Sequence, residues 1–288
     1  MSSSPDPAHD AIEGDNAPPY VPPPSTAPAK EILALRWADP FHWLAAGWRD
    51  LLAAKGIALF YGLSFWAMAW LLAAVFRARP EYTLTLVSGC LLVGPFLAMG
   101  LYEVSLRREQ GRAPELSDSL TCWDKHLASM AMLILVLMVL ELLWGRASLV
   151  VFAVFFDTGM PSSAGVLQAL LQPDNWIFLA VYLGVGAFFA GLVYTLAVVA
   201  IPMILDRDTD AISAAITSAQ VVLSHPGVMA LWGALITSLL LLALQPWGAG
   251  LLVIGPWLGH ASWHAYRGTV RWLNQAPVLA QEKLTTQS

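Results

Sequence analysis

"GIALFYGLSFWAMAWLLAAVF", residues 56–76, contains no charged side chain. A helix of about 20 apolar residues is long enough to cross the roughly 30 Å hydrocarbon core of a bilayer, so this stretch predicts a transmembrane helix. The rest of the chain has the same character, because 57% of its residues are apolar, only 12% are charged and 13 are tryptophan. Soluble domains carry about 25% charged residues, and tryptophan favours membrane interfaces. The composition therefore indicates that lipid covers much of this protein.

Five further segments resemble the first, and together they predict an all-α polytopic membrane protein with six transmembrane helices. The predicted spans are 56–76, 83–106, 127–146, 184–205, 226–244 and 248–267. The apolar character continues through 147–156 and 175–185, which we expect to be helical extensions on the outer face. The membrane domain covers 37–271. Residues 1–30 hold 8 of the 19 prolines and predict a disordered tail without a cleavable signal peptide, and 272–288 form a C-terminal tail.

Lysine and arginine residues are distributed unequally between the two sides of the predicted membrane domain. If the N-terminus is cytoplasmic, twelve of them lie in cytoplasmic segments, and Arg77 and Arg79 lie in outer connections. Cytoplasmic loops carry an excess of basic residues. The asymmetry therefore predicts that both termini are cytoplasmic.

Part of the sequence repeats. "GCLLVGPFLAMGLYE" (89–103) aligns without gaps to "GLLVIGPWLGHASWH" (250–264), and a Gly-Pro pair occurs in both copies, as Gly94-Pro95 and Gly255-Pro256. Glycine permits close helix approach and proline kinks a helix, so the shared pair indicates a structural role. Both copies run the same way across the membrane, which favours a parallel hairpin repeat.

Apolar residues at helical spacing precede each odd-numbered span. These stripes predict three amphipathic helices that lie in the membrane interface. Their members are Trp37, Phe41, Leu44, Trp48 and Leu51, then Leu116, Leu120, Trp123 and Leu127, then Ile212, Ile216, Ala219 and Leu223. The repeating unit would be one such helix plus a hairpin, although many polytopic proteins have helices beside the membrane.

His260 and His264 are four residues apart, on one face of the predicted sixth span. Glu103 aligns with His264 in the repeat and is the best third ligand for a metal. Two histidines are not a complete site, no other span places a histidine at comparable depth for haem, and HExxH is absent. We therefore expect no metal or cofactor, and we expect the histidines to belong to a packed network of His and Glu side chains. A weak metal site is the alternative.

Glu141 lies inside the predicted third span, where a carboxylate is costly and therefore a candidate for function. Arg146 follows five residues later, near the outer boundary, and does not share a helix face with Glu141. The structural alternative is that Glu141 lies under the interface, within reach of water or a partner helix. The candidate intramembrane polar site consists of Glu103, Glu141, Arg146, His260 and His264.

Several function classes lack support in the sequence. The net charge of −5 argues against nucleic acid as a partner. No P-loop, nucleophile elbow or dinucleotide-binding motif appears, so we expect no enzymatic activity. Cys90 and Cys122 form neither a CxxC pair nor a disulfide framework.

Four stretches together resemble a known bacterial family of integral membrane proteins, domain of unknown function 2189. They are "GWRDLLAAKGIALFYGL" (47–63), "GPFLAMGLYEVSLRRE" (94–109), "IPMILDRDTDAISAAITSAQVVLSHPGVMALWGALI" (201–236) and "VIGPWLGHASWHAYR" (253–267). The resemblance implies a multi-pass protein of the bacterial inner membrane with no established catalytic residues.

Three hypotheses about function remain open. The first is a non-enzymatic scaffold, helper or binding protein for lipid, for other membrane proteins or for a second copy of itself. The second is a transporter or channel that uses Glu141 and Glu103, and the third is a metal- or haem-binding accessory protein of respiration.

Overall fold

The structure is a computed structural model that describes residues 30–79, 82–156 and 176–273. The predicted tails 1–30 and 272–288 fall almost entirely outside the described residues, as does the predicted outer loop 157–175. Glu31–Arg271 forms one compact unit and contains every described helix. The second unit comprises Met1–Lys30 and Trp272–Ser288, of which only Lys30, Trp272 and Leu273 are described.

The described chain is helical apart from two short strands at its ends. The elements are β1 (Lys30–Ile32), α1 (Asp39–Ala53), α2 (Lys55–Ala78), α3 (Thr83–Glu109), α4 (Leu116–Thr121), a 3-10 turn (Asp124–His126), α5 (Leu127–Phe155), α6 (Trp176–Ala197), α7 (Ala200–Arg207), α8 (Ala211–Ser224), α9 (Pro226–Ala243), α10 (Leu251–Thr269) and β2 (Val270–Trp272). Strands β1 and β2 pair in a two-stranded sheet.

Among the described residues, five helical segments are long and apolar enough to cross a membrane. They are Lys55–Ala78, Leu86–Glu109, Leu116–Phe155, Trp176–Arg207 and Pro226–Ala243. The fold is therefore that of an all-α polytopic membrane protein, as the composition predicts. Helix α10 coincides with the predicted sixth span but is not among the five, because polar side chains are frequent along it. The count of six spans stays a prediction.

Two long helices differ in their boundaries from the predicted spans. Helix α5 continues without a break to Phe155, nine residues beyond the predicted end of the span at 146. The predicted fourth span, 184–205, is instead two helices, α6 and α7, separated at Val198 and Val199. Pro202 has no N–H to donate to the carbonyl of Val198, which favours a break there. The amide of Val199 donates to Ser218 Oγ of α8 at 3.1 Å.

Helix α10 lies at the centre of the fold, and its N-terminal end lies beside the C-terminal half of α2. A β-carbon on Gly248, just before α10, would lie 3.8 Å from both Ala69 Cβ and Trp66 Cδ1. At the other end, a β-carbon on Gly268 would lie 2.5 Å from Nε1 of Trp43 in α1. Helix α10 therefore runs along the bundle from one end to the other, and its 19 residues make it about 28 Å long.

The two ends of the compact unit meet. Leu33 directly follows β1, and Thr269 is the last residue of α10. The backbone N–H of Leu33 donates to the carbonyl of Thr269 at 2.9 Å. The carboxyl ends of α3 and α7 and the start of α5 are at this same end, which we call the polar end because most ion pairs lie there.

The predicted amphipathic helices form, but much of their apolar stripe points away from the protein. Ile212, Ile216 and Leu223 of α8 are 57%, 53% and 74% exposed, whereas Ala214, Thr217, Ser218 and Val221 are buried. In α1, Phe41 and Trp48 are exposed, as is Trp37 just before the helix, while Leu44 and Leu51 are buried. The second helix is short, since α4 has only six residues, and Leu116, Leu120 and Leu127 are exposed. An outward apolar stripe suits a helix whose outer side faces lipid.

Candidate functional site

Asp50, near the end of α1, connects three helices at the polar end. Its Oδ1 accepts a hydrogen bond from Arg108 Nη1 of α3, and its Oδ2 lies 2.9 Å from His264 Nε2 of α10. Arg108 Nη1 also donates to the carbonyl of Arg49 at 3.0 Å. The Asp50 side chain is only 10% exposed. The carboxylate therefore holds α1, α3 and α10 together through charged hydrogen bonds, which are stronger than neutral ones.

The surroundings of Asp50 favour its charged form. Burial alone would raise the pKa of this carboxyl. Hydrogen bonds from His264 and Ser105, together with the charges of His264 and His260, outweigh burial and hold the pKa of Asp50 below its usual value. Asp50 is therefore ionised at neutral pH and acts as the anion of the cluster.

His260 lies one turn deeper than His264 and is completely buried. Its Nδ1 lies 2.8 Å from Ser105 Oγ, and its Nε2 has no partner among the described residues. The structure thus places both predicted histidines on α10 near α3, in one cluster with Asp50. We call Asp50, Ser105, Arg108, His260 and His264 the Asp50 cluster.

Glu103 does not join the two histidines. It accepts a hydrogen bond from Arg107 Nε at 2.7 Å, and Arg107 in turn pairs with Asp118 of α4. These side chains line a polar cavity of about 370 Å³ that also includes His126 and Lys125. Among the described residues, no group of three or more His, Cys, Asp or Glu side chains could hold a metal ion. The three predicted metal ligands are therefore divided between two different clusters.

A third set of polar contacts completes the polar end. Arg267 donates to Glu109 Oε1 through Nε and Nη2, at 3.1 and 3.0 Å. Tyr266 donates to Asp206 of α7 at 2.6 Å. These contacts join the ends of α3, α7 and α10.

Glu141 is remote from the polar end, halfway along α5, and only 7% exposed. Ser88 Oγ of α3 donates to Glu141 Oε2 at 3.0 Å, while Oε1 has no partner among the described residues. Arg146 is exposed, and no ion pair between Arg146 and Glu141 appears in the part of the chain that the structure describes. Glu141 and Arg146 therefore do not form a site with the histidines.

The two Gly-Pro pairs differ in their surroundings. A β-carbon on Gly94 would meet nothing within 4 Å, so no close approach requires this glycine. A β-carbon on Gly255 would lie 2.8 Å from Cδ2 of Phe65, so Gly255 does accommodate a neighbour. Pro95 and Pro256 both lie inside continuous helices.

Sequence reasoning missed Asp50, Arg108, Ser105 and Glu109. All four lie near predicted helix ends, where polar and charged residues are ordinary, and nothing local in the sequence distinguishes them. The pair Glu103–Arg107 did carry a signal, because oppositely charged residues four apart on a helix face each other.

A protein-family model matches the middle of the chain. Residues 83–206, from the start of α3 into α7, match a family model described as "Predicted integral membrane protein (DUF2189)". No curated protein and no solved structure matches the chain. The match is narrower than the four resembling stretches, which extend from 47 to 267, but it is to the same family. Residues 83–206 of the chain are therefore similar to the DUF2189 family of predicted integral membrane proteins.

Proposed function

We propose that this protein is a non-enzymatic scaffold or binding protein of the bacterial inner membrane, which holds lipid or other membrane proteins. The observation that carries the proposal is the outward apolar stripe on α1, α4 and α8. In water such a stripe would be costly, whereas in the interface it binds acyl chains beside the headgroups. Three such helices around the polar end would anchor the protein in one leaflet of the bilayer.

The topology that we propose has six crossings and two cytoplasmic ends. The backbone hydrogen bond between Leu33 and Thr269 joins the two ends of the compact unit, which supports an even number of crossings. Five apolar helices give an odd number, and α10 supplies the sixth. The excess of basic residues supports the cytoplasmic side for the polar end.

The contacts of the charged residues favour a scaffold over an enzyme. Asp50 binds both Arg108 and His264, and Glu109 binds Arg267. Such pairs hold helices at fixed positions, and this is the role that we assign to them.

A transporter is the second candidate, and Glu141 is the observation that favours it. A buried carboxyl inside a membrane helix commonly marks a path for protons or ions. In the described segments, no specific contact favours the metal- or haem-binding hypothesis.

Flux measurements separate the first two candidates. We would reconstitute the full chain in liposomes of phosphatidylethanolamine and phosphatidylglycerol and follow proton and potassium movement with a pH-sensitive dye and a potassium electrode. A scaffold gives no flux above protein-free liposomes, and Glu141→Gln leaves that result unchanged. Native mass spectrometry from nanodiscs should show retained lipid or a second membrane protein. Flux that depends on the protein and disappears in Glu141→Gln would overturn the scaffold proposal.

A further inference from the structure

The surroundings of Glu141 are incomplete in a way that points to a ligand. A buried acceptor without a donor costs about 1–3 kcal/mol relative to a satisfied one, and native proteins leave few such groups unexplained. Glu141 Oε2 is satisfied by Ser88, but Oε1 has no partner among the described residues. The carboxyl group therefore has one acceptor atom that no donor among the described residues satisfies.

A crevice adjoins this carboxyl group. It is half open, lies between α5 and α6 and has a volume of about 270 Å³. Besides Glu141 its walls are Leu140, Trp144, Gly186, Phe189, Ala190 and Val193. We call it the Glu141 crevice. All of these wall residues lie within segments long and apolar enough to cross the membrane, so the molecules that reach the crevice are those dissolved in the bilayer.

The lining determines what kind of molecule fits. The apolar side chains and the indole of Trp144 favour a ligand with a hydrocarbon chain. The carboxyl group of Glu141 favours a ligand with one hydrogen-bond donor. A metal ion would require additional ligands, which the walls do not supply. A charged headgroup would have to leave the interface at considerable cost. An uncharged amphiphile with a hydroxyl group satisfies both demands.

We propose that the Glu141 crevice binds an uncharged hydroxyl-bearing lipid, such as a long-chain alcohol or a diacylglycerol, whose hydroxyl donates to Glu141 Oε1 while its chain packs on Phe189 and Val193. This inference rests on the proposed binding function and names its ligand. If the ligand is wrong and the reconstituted protein still shows no flux, the scaffold proposal survives, so the two failures are distinguishable.

The test uses photolabelling of the full chain in phosphatidylcholine nanodiscs. The probe is a hexadecanol with a diazirine and an alkyne in its chain, and the competitors are hexadecanol and hexadecyl methyl ether. The ether has nearly the same chain but no donor. We expect labelled peptides from 140–144 and 186–193, and we expect hexadecanol to compete about fivefold to tenfold better than the ether, which is what one hydrogen bond supplies.

Variants locate the interaction. Glu141→Leu should weaken labelling by about fivefold to tenfold, whereas Glu141→Gln keeps a carbonyl acceptor and should label like the unchanged protein. Leu143→Ala is the matched control, because Leu143 is exposed on the same helix and does not line the crevice. Gly186→Leu fills the crevice and tests the proposal independently if Glu141→Leu does not fold.

Three results would overturn the inference. They are equal competition by the alcohol and the ether, unchanged labelling in both Glu141→Leu and Gly186→Leu, and cross-linking of the crevice to a second copy of the chain instead of to the probe. The last result would mean that a helix occupies the crevice.

Discussion

The carbonyl oxygen of Leu252 in α10 lies directly against Gly62 in α2, in the place that a β-carbon on residue 62 would occupy. In a regular helix this carbonyl would accept a hydrogen bond from the N–H four residues later, but that residue is Pro256, which has none. Pro256 therefore removes the usual helical donor for this carbonyl, and glycine at position 62 is the residue type that lets another backbone come so close. Gly62 and Pro256 together set the contact between α2 and α10.

Gly62→Ala should destabilise the protein by about 1–3 kcal/mol, because an added methyl group must push the two helices apart. Gly56→Ala in the same helix is the matched control, since a β-carbon there meets nothing within 4 Å. We would measure thermal unfolding in detergent by the loss of the monodisperse peak in fluorescence-detected gel filtration. Equal midpoints for the two variants would contradict the close approach of Leu252 to Gly62.

The Asp50 cluster predicts a dependence of stability on pH. Since the pKa of Asp50 is lower in the folded protein than its usual 3.8, its ionised form stabilises the fold at and above about pH 4, and this contribution is lost as the pH falls through the folded value. Asp50→Asn lacks that contribution at every pH. We therefore expect Asp50→Asn to lower the unfolding temperature at pH 7 and the difference from the unchanged protein to shrink toward pH 3.

Asp124→Asn is the control for this experiment. Asp124 is exposed, and no hydrogen bond or ion pair joins its side chain to another described residue. Its substitution should leave the unfolding temperature at pH 7 within about 1 °C, since surface substitutions rarely change stability by more than 0.5 kcal/mol. A difference between Asp50→Asn and the unchanged protein that stays constant from pH 7 to pH 3 would show that the charge of Asp50 does not contribute.

The fold was predictable from the sequence where the information is local. A run of apolar residues such as 56–76 requires lipid whatever its neighbours are, and α2 follows that run closely. The break between α6 and α7 was missed because hydropathy does not register the hydrogen bond that Pro202 removes. The central position of α10 was also missed, because apolar faces toward lipid and toward protein look alike in a sequence.

The site was predictable only in part, for a related reason. Glu141 is visible because a carboxylate is out of place in an apolar span. The Asp50 cluster depends on contacts across 58 residues, between Asp50 and Arg108, and across 214 residues, between Asp50 and His264. Such contacts follow from how α1, α3 and α10 pack and leave no periodic signal. The metal hypothesis joined Glu103 to His264 through the repeat, but the actual partner of Glu103 is Arg107, one turn away.

The meeting of Leu33 and Thr269 predicts the topology. With Cys90 and Cys122 changed to serine, we would introduce single cysteines by Arg36→Cys, Arg271→Cys and Trp247→Cys, all at exposed positions, and treat intact spheroplasts with a maleimide that does not cross membranes. We expect Trp247→Cys to be labelled at once and the other two only after lysis. Labelling of 36 and 271 from opposite sides would contradict six crossings.

Helix α8 offers a test of the interfacial position, because Leu223 and Ser224 are adjacent in sequence and both exposed, yet point about 100° apart around the helix. Nitroxide labels at these two positions, in protein reconstituted into liposomes, should differ in their collision rates with oxygen and with a water-soluble nickel chelate. The label at 223 should collide more with oxygen, which concentrates in hydrocarbon, and the label at 224 more with a water-soluble nickel chelate. If both labels report water, the apolar stripe of α8 does not face lipid and the protein would hold the leaflet only through its spans. If both report lipid, α8 is buried deeper than an interfacial helix allows. The contrast between two neighbouring residues is therefore a sharper test than the mean depth of the helix, because an error in the position of the whole bundle would move both labels together.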